Sequence, residues 1–401
     1  MDNELRHQGL GSLFWTFLKI GSTAFGGFMA LISVVQNYVV DRRRLLSQDE
    51  MLDGISLATI LPGPVAFNVV AYVGFKLRGG LGALVCTVAL TLPTFILIVF
   101  LSYGYFTWGE VPSVNKFFQG FIPAVTAIIV AAVWNMARKN LKGNPEKIIA
   151  SLACAILIAV GGFLVTLGII LFAGAAGYWL FRYSDPESRT QSATEMDKGY
   201  MPKRENAKKL HASAIVPALS VPAPFLSTDI LIAGKLFVTF AVMSLFLFGG
   251  GFVFIPLIQE VVVDGYGWVT NKEFIDGIAL GQVTPGPILI SVAFIGYKMA
   301  GLFGAIAATV GIFTPPALIM LFCARYLDKI KSSSVLKAAM RGVRAGVIGM
   351  ILAAAYVVAT TAQANWVSFL IFSVVMVALL KYKFEVVWII PGAGTLGLLL
   401  Y

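Results

Sequence analysis

Two copies of a proline-glycine-proline triplet are the residues of this sequence whose types and spacing best suit a binding function. The triplets are Pro62-Gly63-Pro64 and Pro285-Gly286-Pro287, each inside an apolar run. Proline lacks a backbone N–H donor and glycine adopts dihedral angles that other residues avoid, so each triplet should end one helix and start another. A restarting helix presents unpaired N–H groups and the positive end of its dipole. We therefore predict an anion site at each break.

The composition indicates that these breaks lie within a membrane. The chain has 401 residues, of which 58% are hydrophobic and 12% are charged, and its mean hydropathy is +0.85. Several apolar runs are long enough to cross a lipid bilayer, so we predict an all-α, polytopic integral membrane protein. In lipid, backbone groups freed by a helix break must be enclosed by protein or by water. We therefore expect both triplets inside the protein, beside a pathway.

The charge balance and the few cysteines and histidines narrow the function classes. The net charge of +10 comes largely from basic residues in short loops between apolar runs. Such loops set the orientation of a membrane protein, so a nucleic-acid partner is not indicated. Cys86, Cys154 and Cys323 lie in apolar runs without CxxC spacing, and both histidines lie in polar segments. We expect no metal site, no disulfide framework and no cofactor.

The sequence repeats itself at a spacing of 223 residues, which shortens to 222 after the triplets. Agreement at this many glycines, prolines and acids predicts two homologous halves, residues 1–181 and 229–401. Residues 182–228 would form a cytoplasmic linker, because they mix acids, bases and prolines without an apolar core. Its apolar stretch 212–226 could instead lie on the membrane surface. The matched positions include the two triplets, Gly26-Gly27 with Gly249-Gly250, Glu50 with Glu273, Asp53 with Asp276, and Lys76 with Lys298.

The apolar runs predict five crossings in each half. Residues 47–77 hold the first triplet, and loop charge requires this segment to start and finish on one side, as a re-entrant hairpin. The whole chain would then have about ten transmembrane helices, two re-entrant broken helices and both termini outside. A break at Gly26-Gly27 could instead fold the first segment back. The predicted crossings of the first half are residues 10–40, 81–105, 117–135, 148–160 and 163–181.

Matched loops of the two halves carry opposite charge. Residues 42–44 are three arginines, whereas the corresponding loop 264–268 has no cation. The acidic and aromatic loop 103–112 likewise corresponds to the basic loop 325–337. Because basic loops lie in the cytoplasm, this reversal predicts an inverted-topology repeat, in which the halves enter the bilayer in opposite senses.

Several cations are candidates for binding an anion. Lys76 and Lys298 follow their triplets by about three helical turns, so they either line the pathway or extend to the interface. Lys19 lies within an apolar run and has no counterpart in the second half, which makes it a functional candidate. Arg341 and Arg344, three residues apart, could face an anion together, or they could extend to a cytoplasmic helix end.

Two pairs of acids are candidates for carrying a coupling proton. Glu50 and Asp53 are three residues apart, as are Glu273 and Asp276, so each pair shares a helix face. The alternative is structural, because acids near a helix start are favoured by the helix dipole and can complete a capping box. The residues with capping-box spacing are Ser47 before Glu50 and Thr270 before Glu273.

Polar side chains around the breaks form a second group of candidates. Asn68, Gln282, Thr284 and Ser291 can donate hydrogen bonds to the oxygens of an anion, as can Thr59.

The double glycines, the stretches Asp53-Gly54 and Asp276-Gly277, and the two triplets together resemble the chromate ion transporter family in its long, two-half form. The resemblance covers nearly the whole chain except the linker. It implies a multi-pass protein of the bacterial inner membrane that exports chromate from the cytoplasm and confers resistance, with sulfate as the close chemical analogue. The double-glycine and triplet motifs of the family carry over to these positions, and Gly26, Gly27, Gly249 and Gly250 join the triplets as candidate substrate-binding residues. Membrane carriers are commonly dimers, so a homodimer is one hypothesis for the assembly.

Two other function classes are weighed against secondary transport of chromate. The first keeps the fold and changes the cargo to sulfate or another oxyanion. The second is an integral membrane enzyme, which would need paired acids, histidines or a nucleophile at a cavity, and the apolar runs are poor in these. No GxxxxGK[ST] motif occurs in the sequence, so it gives no sign of ATP hydrolysis.

Overall fold

The computed structural model describes residues 9–24, 27–109, 111–182, 228–248, 254–327, 333–361 and 365–401. The described residues are mostly helical, and none of them lies in a β-strand. The predicted all-α class is therefore confirmed. Gly26, Gly249, Gly250 and the linker residues 183–227, for which predictions were made above, lie outside the described part of the chain.

The helices of the two halves follow in corresponding order. The first half contains α1 (Leu10–Thr23), α2 (Gly27–Gln36) continued by a π-helix (Asn37–Arg42), α3 (Gln48–Ile60), α4 (Val65–Trp108), α5 (Pro112–Gln119), α6 (Phe121–Asn140), α7 (Asn144–Val160) and α8 (Phe163–Phe181). The second half contains α9 (Thr228–Ser244), α10 (Phe254–Gln259) continued by a π-helix (Glu260–Gly265), α11 (Asn271–Val283), a 3-10 turn (Ile288–Ser291), α12 (Val292–Cys323), α13 (Ser334–Thr361), α14 (Trp366–Leu380) and α15 (Val386–Leu400).

Five helical stretches in the described part of the chain are long and apolar enough to cross a membrane. Many of their outward side chains are large and apolar, such as Phe100 and Phe303, which suits contact with lipid. The predicted polytopic membrane protein is confirmed, whereas the number of crossings stays a prediction. The five stretches are Val65–Trp108, Pro112–Asn140, Leu164–Phe181, Ile288–Ala324 and Ser334–Thr360.

The first segment of each half folds back on itself instead of running straight across the bilayer. The hydroxyls of Thr16 and Tyr38 lie 3.0 Å apart, although a straight helix would separate residues 22 positions apart by about 33 Å. In the second half, the Lys235 ammonium lies 4.0 Å from the ring centroid of Tyr266. The straight crossing predicted for residues 10–40 is therefore wrong, and the fold-back alternative is the one observed. Ser12 and Arg42 line one cavity, so the start of α1 and the end of the π-helix lie on the same side of the hairpin, whereas the side of the membrane on which the N-terminus lies stays a prediction.

A sharp break divides α4 and α12 at matched positions. Gly79 has φ +63° and Gly301 has φ +55°. At each of these glycines a short helical limb ends and a longer limb, called the crossing limb, begins and runs back alongside it. The two limbs pack backbone against backbone, since a Cβ built on Gly74 would lie 2.5 Å from the carbonyl oxygen of Gly82. The far end of α4 reaches the short limb of α12, where the rings of Phe106 and Phe294 are 4.8 Å apart, and this limb packs at Gly296 against Gly304, near the start of the crossing limb. The crossing limbs of α4 and α12 therefore run antiparallel.

The two halves are intertwined, not side by side. Helix α13 of the second half packs against α7 and α8 of the first. Conversely, α6 of the first half packs against α14 and α15 of the second. One large hydrophobic cluster includes side chains from both halves, for example Phe67 and Phe313 with ring centroids 4.6 Å apart. This shared core holds the two triplets.

Candidate functional site

The first triplet is a buried break between α3 and α4. Gly63 has φ +101°, which favours glycine, and its N–H donates a 2.7 Å hydrogen bond to the carbonyl of Leu247 in the second half. A Cβ on Gly63 would lie 2.4 Å from Cβ of Pro316, also in the second half. The first break is therefore closed by the other half of the molecule, and nothing larger than glycine fits at its centre.

The second triplet repeats this arrangement with the halves exchanged. Gly286 has φ +103°, and its N–H donates a 3.1 Å hydrogen bond to the carbonyl of Ala24. The Thr94 hydroxyl donates a short hydrogen bond to the carbonyl of Pro285, and a Cβ on Gly286 would lie 2.8 Å from Oγ1 of Thr94. Ala24 and Leu247 are matched positions, and so are Thr94 and Pro316.

These contacts differ in part from the prediction that each break presents free N–H groups. The N–H groups of both central glycines are occupied by carbonyls, so they are not the free donors that the sequence predicted. At the first break, α4 begins directly at Val65, and its first intrahelical bond runs from Asn68 N to Pro64 O at 2.9 Å. The amides before Asn68 belong to an open helix N-terminus, as predicted. At the second break a 3-10 turn, Ile288–Ser291, comes before α12, so the two breaks differ.

The predicted polar candidates lie around the breaks. Asn68 is fully buried, and its Nδ2 donates to the carbonyl of Pro62 at 2.9 Å. Its Oδ1 has no hydrogen-bond partner in the described part of the chain, and the same holds for Nε2 of Gln282. Thr284 and Ser291 donate to carbonyls of their own segment. Gln282 thus keeps an N–H donor for an anion, whereas the unpaired atom of Asn68 is an amide oxygen that only accepts, and the hydroxyls of Thr284 and Ser291 are already engaged as donors.

The two arginines of α13 point to different places. Nε of Arg341 donates a 2.7 Å hydrogen bond to Glu146, a fully buried acid of α7, and its guanidinium lies 4.3 Å from the ring centroid of Phe181. Arg344 reaches the carbonyl of Thr59 near the end of α3 at 3.4 Å, just before the first triplet. The structure thus places Arg344 beside a break and Arg341 in an ion pair that joins the halves.

Asp276 is enclosed, and its matched residue Asp53 is partly exposed. One carboxylate oxygen of Asp276 accepts a 2.7 Å hydrogen bond from the Tyr105 hydroxyl and lies 3.8 Å from the ammonium of Lys272. Its other oxygen has no partner among the described residues. A buried acid with one unpaired oxygen can exchange a proton when water enters.

The remaining acids and lysines near the triplets have structural contacts. Ser47 with Glu50 and Thr270 with Glu273 form complete capping boxes, which confirms the structural alternative for both glutamates. The Lys298 ammonium lies 2.6 Å from the Glu273 carboxylate. Lys76 lies 5.6 Å from the ring centroid of Tyr72, and Lys19 lines a separate cavity between α1 and α2. Within the described ranges, none of these three lysines forms a hydrogen bond or ion pair with a triplet residue.

Thr94, Tyr105 and Glu146 were missed in reading the sequence. Each of them contacts the other half, and nothing in a linear sequence shows which half supplies a partner. A weak signal existed for Thr94, because it follows Pro93, which is matched by Pro315 before the contacting Pro316.

Comparisons with known proteins agree with this arrangement of two matched units. The model of the chromate transporter family matches the chain twice, over residues 11–178 and 234–398. No solved structure matches the chain.

Three relatives extend over nearly the whole chain. A chromate transport protein of Pseudomonas aeruginosa is 32% identical, covering 97% of this chain and 92% of the relative. A chromate transport protein of Cupriavidus metallidurans is 29% identical, covering 98% and 93%. An uncharacterised transporter of Methanocaldococcus jannaschii is 30% identical, covering 97% and 94%. With both halves matched by one family model and a relative at this identity over almost its full length, the chain belongs to the chromate transporter family.

Proposed function

We propose that the protein is a secondary transporter that exports chromate from the bacterial cytoplasm across the inner membrane and thereby confers chromate resistance. The observation that carries this proposal is the pair of buried triplet breaks, each completed by a backbone carbonyl of the opposite half. The chromate transport proteins among the relatives support chromate as the cargo. A break enclosed by protein suits a tetrahedral dianion, which must exchange its water for backbone and side-chain donors.

The first break is the proposed binding position. The supporting features are the open N-terminus of α4 and the guanidinium of Arg344 near Thr59. The position matched to Arg344 in the first half is Ile122, so the second break lacks this cation. One fixed charge beside an N-terminus attracts the dianion without making its release too slow.

Alternating access would come from the two halves acting as an inverted repeat. The antiparallel crossing limbs of α4 and α12 and the reciprocal contacts of Gly63 and Gly286 support this arrangement. Rocking one half against the other would open the two breaks to opposite sides in turn. Asp276 is the proposed proton carrier, because it is buried and has an unpaired oxygen.

Chromate flux in inside-out proteoliposomes tests the proposal. Wild type should accumulate chromate, and Gly286→Leu should insert normally but lose flux, since a side chain there meets Thr94. Sulfate added as a competitor identifies the cargo. Flux of sulfate that chromate does not inhibit would reject chromate as the substrate, and full activity of Gly286→Leu would remove the triplet from the mechanism.

A further inference from the structure

The fold-back of the first segment leaves an open cavity of about 720 Å³ between α1 and the limb formed by α2 and its π-helix. It is separate from both triplets, none of whose residues lines it. The lining side chains that matter here are Ser12, Thr16 and Lys19 from α1 and Asn37, Arg42 and Arg43 from the opposite limb.

Most of the residues that line the cavity are polar or charged, beside the apolar Trp15, Ile20 and Val34. Ser12, Thr16, Lys19 and Thr23 recur at the spacing of one helix face. The hydrogen bond between Thr16 and Tyr38 joins the two limbs, and the Thr23 hydroxyl donates to the Lys19 carbonyl at 2.9 Å. These bonds give the hydroxyl groups of Thr16 and Thr23 a structural role. Neither bond involves the side chain of Lys19, Arg42 or Arg43.

Three cations line the cavity, and its lining contains no acid. No salt bridge joins Lys19, Arg42 or Arg43 to an acid within the described ranges. Arg43 instead lies 5.5 Å from the ring centroid of Tyr38. The three cations repel each other across the cavity. An anion between them would attract each cation and offset that repulsion.

The second half does not repeat this chemistry. Val242 stands at the position of Lys19, and Gly265 at that of Arg42. Lys235, matched to Ser12, lies over the Tyr266 ring at 4.0 Å. The hairpin therefore folds without the cationic lining, so that lining is not a requirement of the fold.

We propose that this cavity is a binding site for a tetrahedral oxyanion, present in the first half only. The bound group is either a free dianion or the phosphate of an anionic lipid headgroup, since both offer oxygens to two guanidinium groups and an ammonium. The inference is independent of the triplet site. Its ligand would approach from the side of the membrane at which Arg42 lies.

The test compares Lys19→Gln/Arg42→Gln with Arg44→Gln, which removes a neighbouring charge outside the cavity lining. Binding of radiolabelled sulfate to the purified full chain is measured in nanodiscs of phosphatidylcholine at constant ionic strength. We expect affinity to fall about tenfold or more in the double variant and to stay unchanged in Arg44→Gln. The double variant and Arg44→Gln are also made in a Gly63→Ala background, which disrupts the triplet site. A difference in sulfate binding between them in that background then comes from the cavity.

A second arm replaces sulfate with nanodiscs containing phosphatidylglycerol and measures lipid retained by each variant. Retention lost only in the double variant, with sulfate binding unaffected, identifies the lipid phosphate as the ligand. Sulfate binding and lipid retention that are both the same in all variants would overturn the proposal. Lys19 is exposed in the structure, so Lys19→Gln alone serves as the folded variant if the double variant is unstable.

Discussion

Asp276 and Asp53 occupy matched positions but have different surroundings. Asp276 is fully buried with Tyr105 as its hydrogen-bond donor, whereas Asp53 is partly exposed. A carboxyl group that exchanges a proton only when water reaches it is better suited to coupling than one already in contact with solvent. The buried acid is therefore the one expected to matter for proton coupling.

Asp276→Asn should abolish net chromate flux driven by a pH gradient and retain exchange of chromate for chromate. The amide keeps an acceptor for Tyr105 but carries no exchangeable acid proton. Both activities are measured in the same proteoliposomes, with Asp53→Asn as the matched control. Equal loss of driven flux in the two variants, or driven flux intact in Asp276→Asn, would reject this assignment.

Arg341 illustrates how a candidate ligand becomes a structural residue once its contacts are known. It pairs with Glu146, which is fully buried. Removing one partner leaves a buried charge without compensation, which costs more than the pair itself contributes.

Arg341→Gln should destabilise the protein by about 3 kcal/mol, and Glu146→Gln added to it should restore much of that loss. Unfolding in detergent, followed by denaturant titration, gives the free energies. A stable Arg341→Gln protein with lost chromate binding would contradict the structural assignment and return Arg341 to the substrate site.

The break between α3 and α4, compared with the interior of α8, shows that glycine serves two kinds of position. Gly63 combines positive φ with a neighbour, Pro316, that leaves no space for a Cβ. Gly168 of α8 is a plain helical glycine with nothing within 4 Å of its position for a Cβ. Substitution at the first should strain the break, and substitution at the second should not.

Gly63→Ala should lower the thermal midpoint and abolish flux, because the left-handed conformation alone costs an alanine about 1 kcal/mol before the clash with Pro316 is added. Gly168→Ala should leave both unchanged or raise stability slightly, since alanine favours helix. Thermal unfolding and chromate flux are measured on both variants. Wild-type flux in Gly63→Ala would show that the break tolerates a side chain.

Elements were predictable from the sequence where the signal is local. The capping boxes at Ser47 and Thr270 and the breaks at both triplets depend on residue types a few positions apart. The sequence allows both a straight first segment and the observed fold-back of α1 on α2, because apolar composition alone does not distinguish a straight helix from a hairpin. The donors to Asp276 and Pro285 were missed, because both come from distant parts of the chain.

At the scale of the whole molecule, the double negative charge of the proposed cargo has a consequence for energy supply. Export of a dianion from a cell with a negative interior is favoured by about 2.3 kcal/mol per charge for each 100 mV. In the proposed mechanism the membrane potential alone would therefore drive chromate outward, and a coupled proton would add to that drive or regulate it.

Cysteine labelling tests the orientation. Arg78→Cys and Ala300→Cys place thiols at the matched breaks of α4 and α12, in a background lacking Cys86, Cys154 and Cys323. A membrane-impermeant maleimide should label position 78 from the cytoplasmic side and position 300 from the opposite side. Labelling of both from one side would show that the halves are oriented alike.

The hydrogen bonds from each triplet glycine to a carbonyl of the other half also affect how the chain folds during translation. Gly63 leaves the ribosome long before Leu247, its hydrogen-bond acceptor, has been translated. At about 5–20 residues per second, that interval is about 10 to 40 s. During this time the nascent first half sits in the membrane with an incomplete core, where insertion factors must shelter it and quality-control proteases have their best opportunity to degrade it.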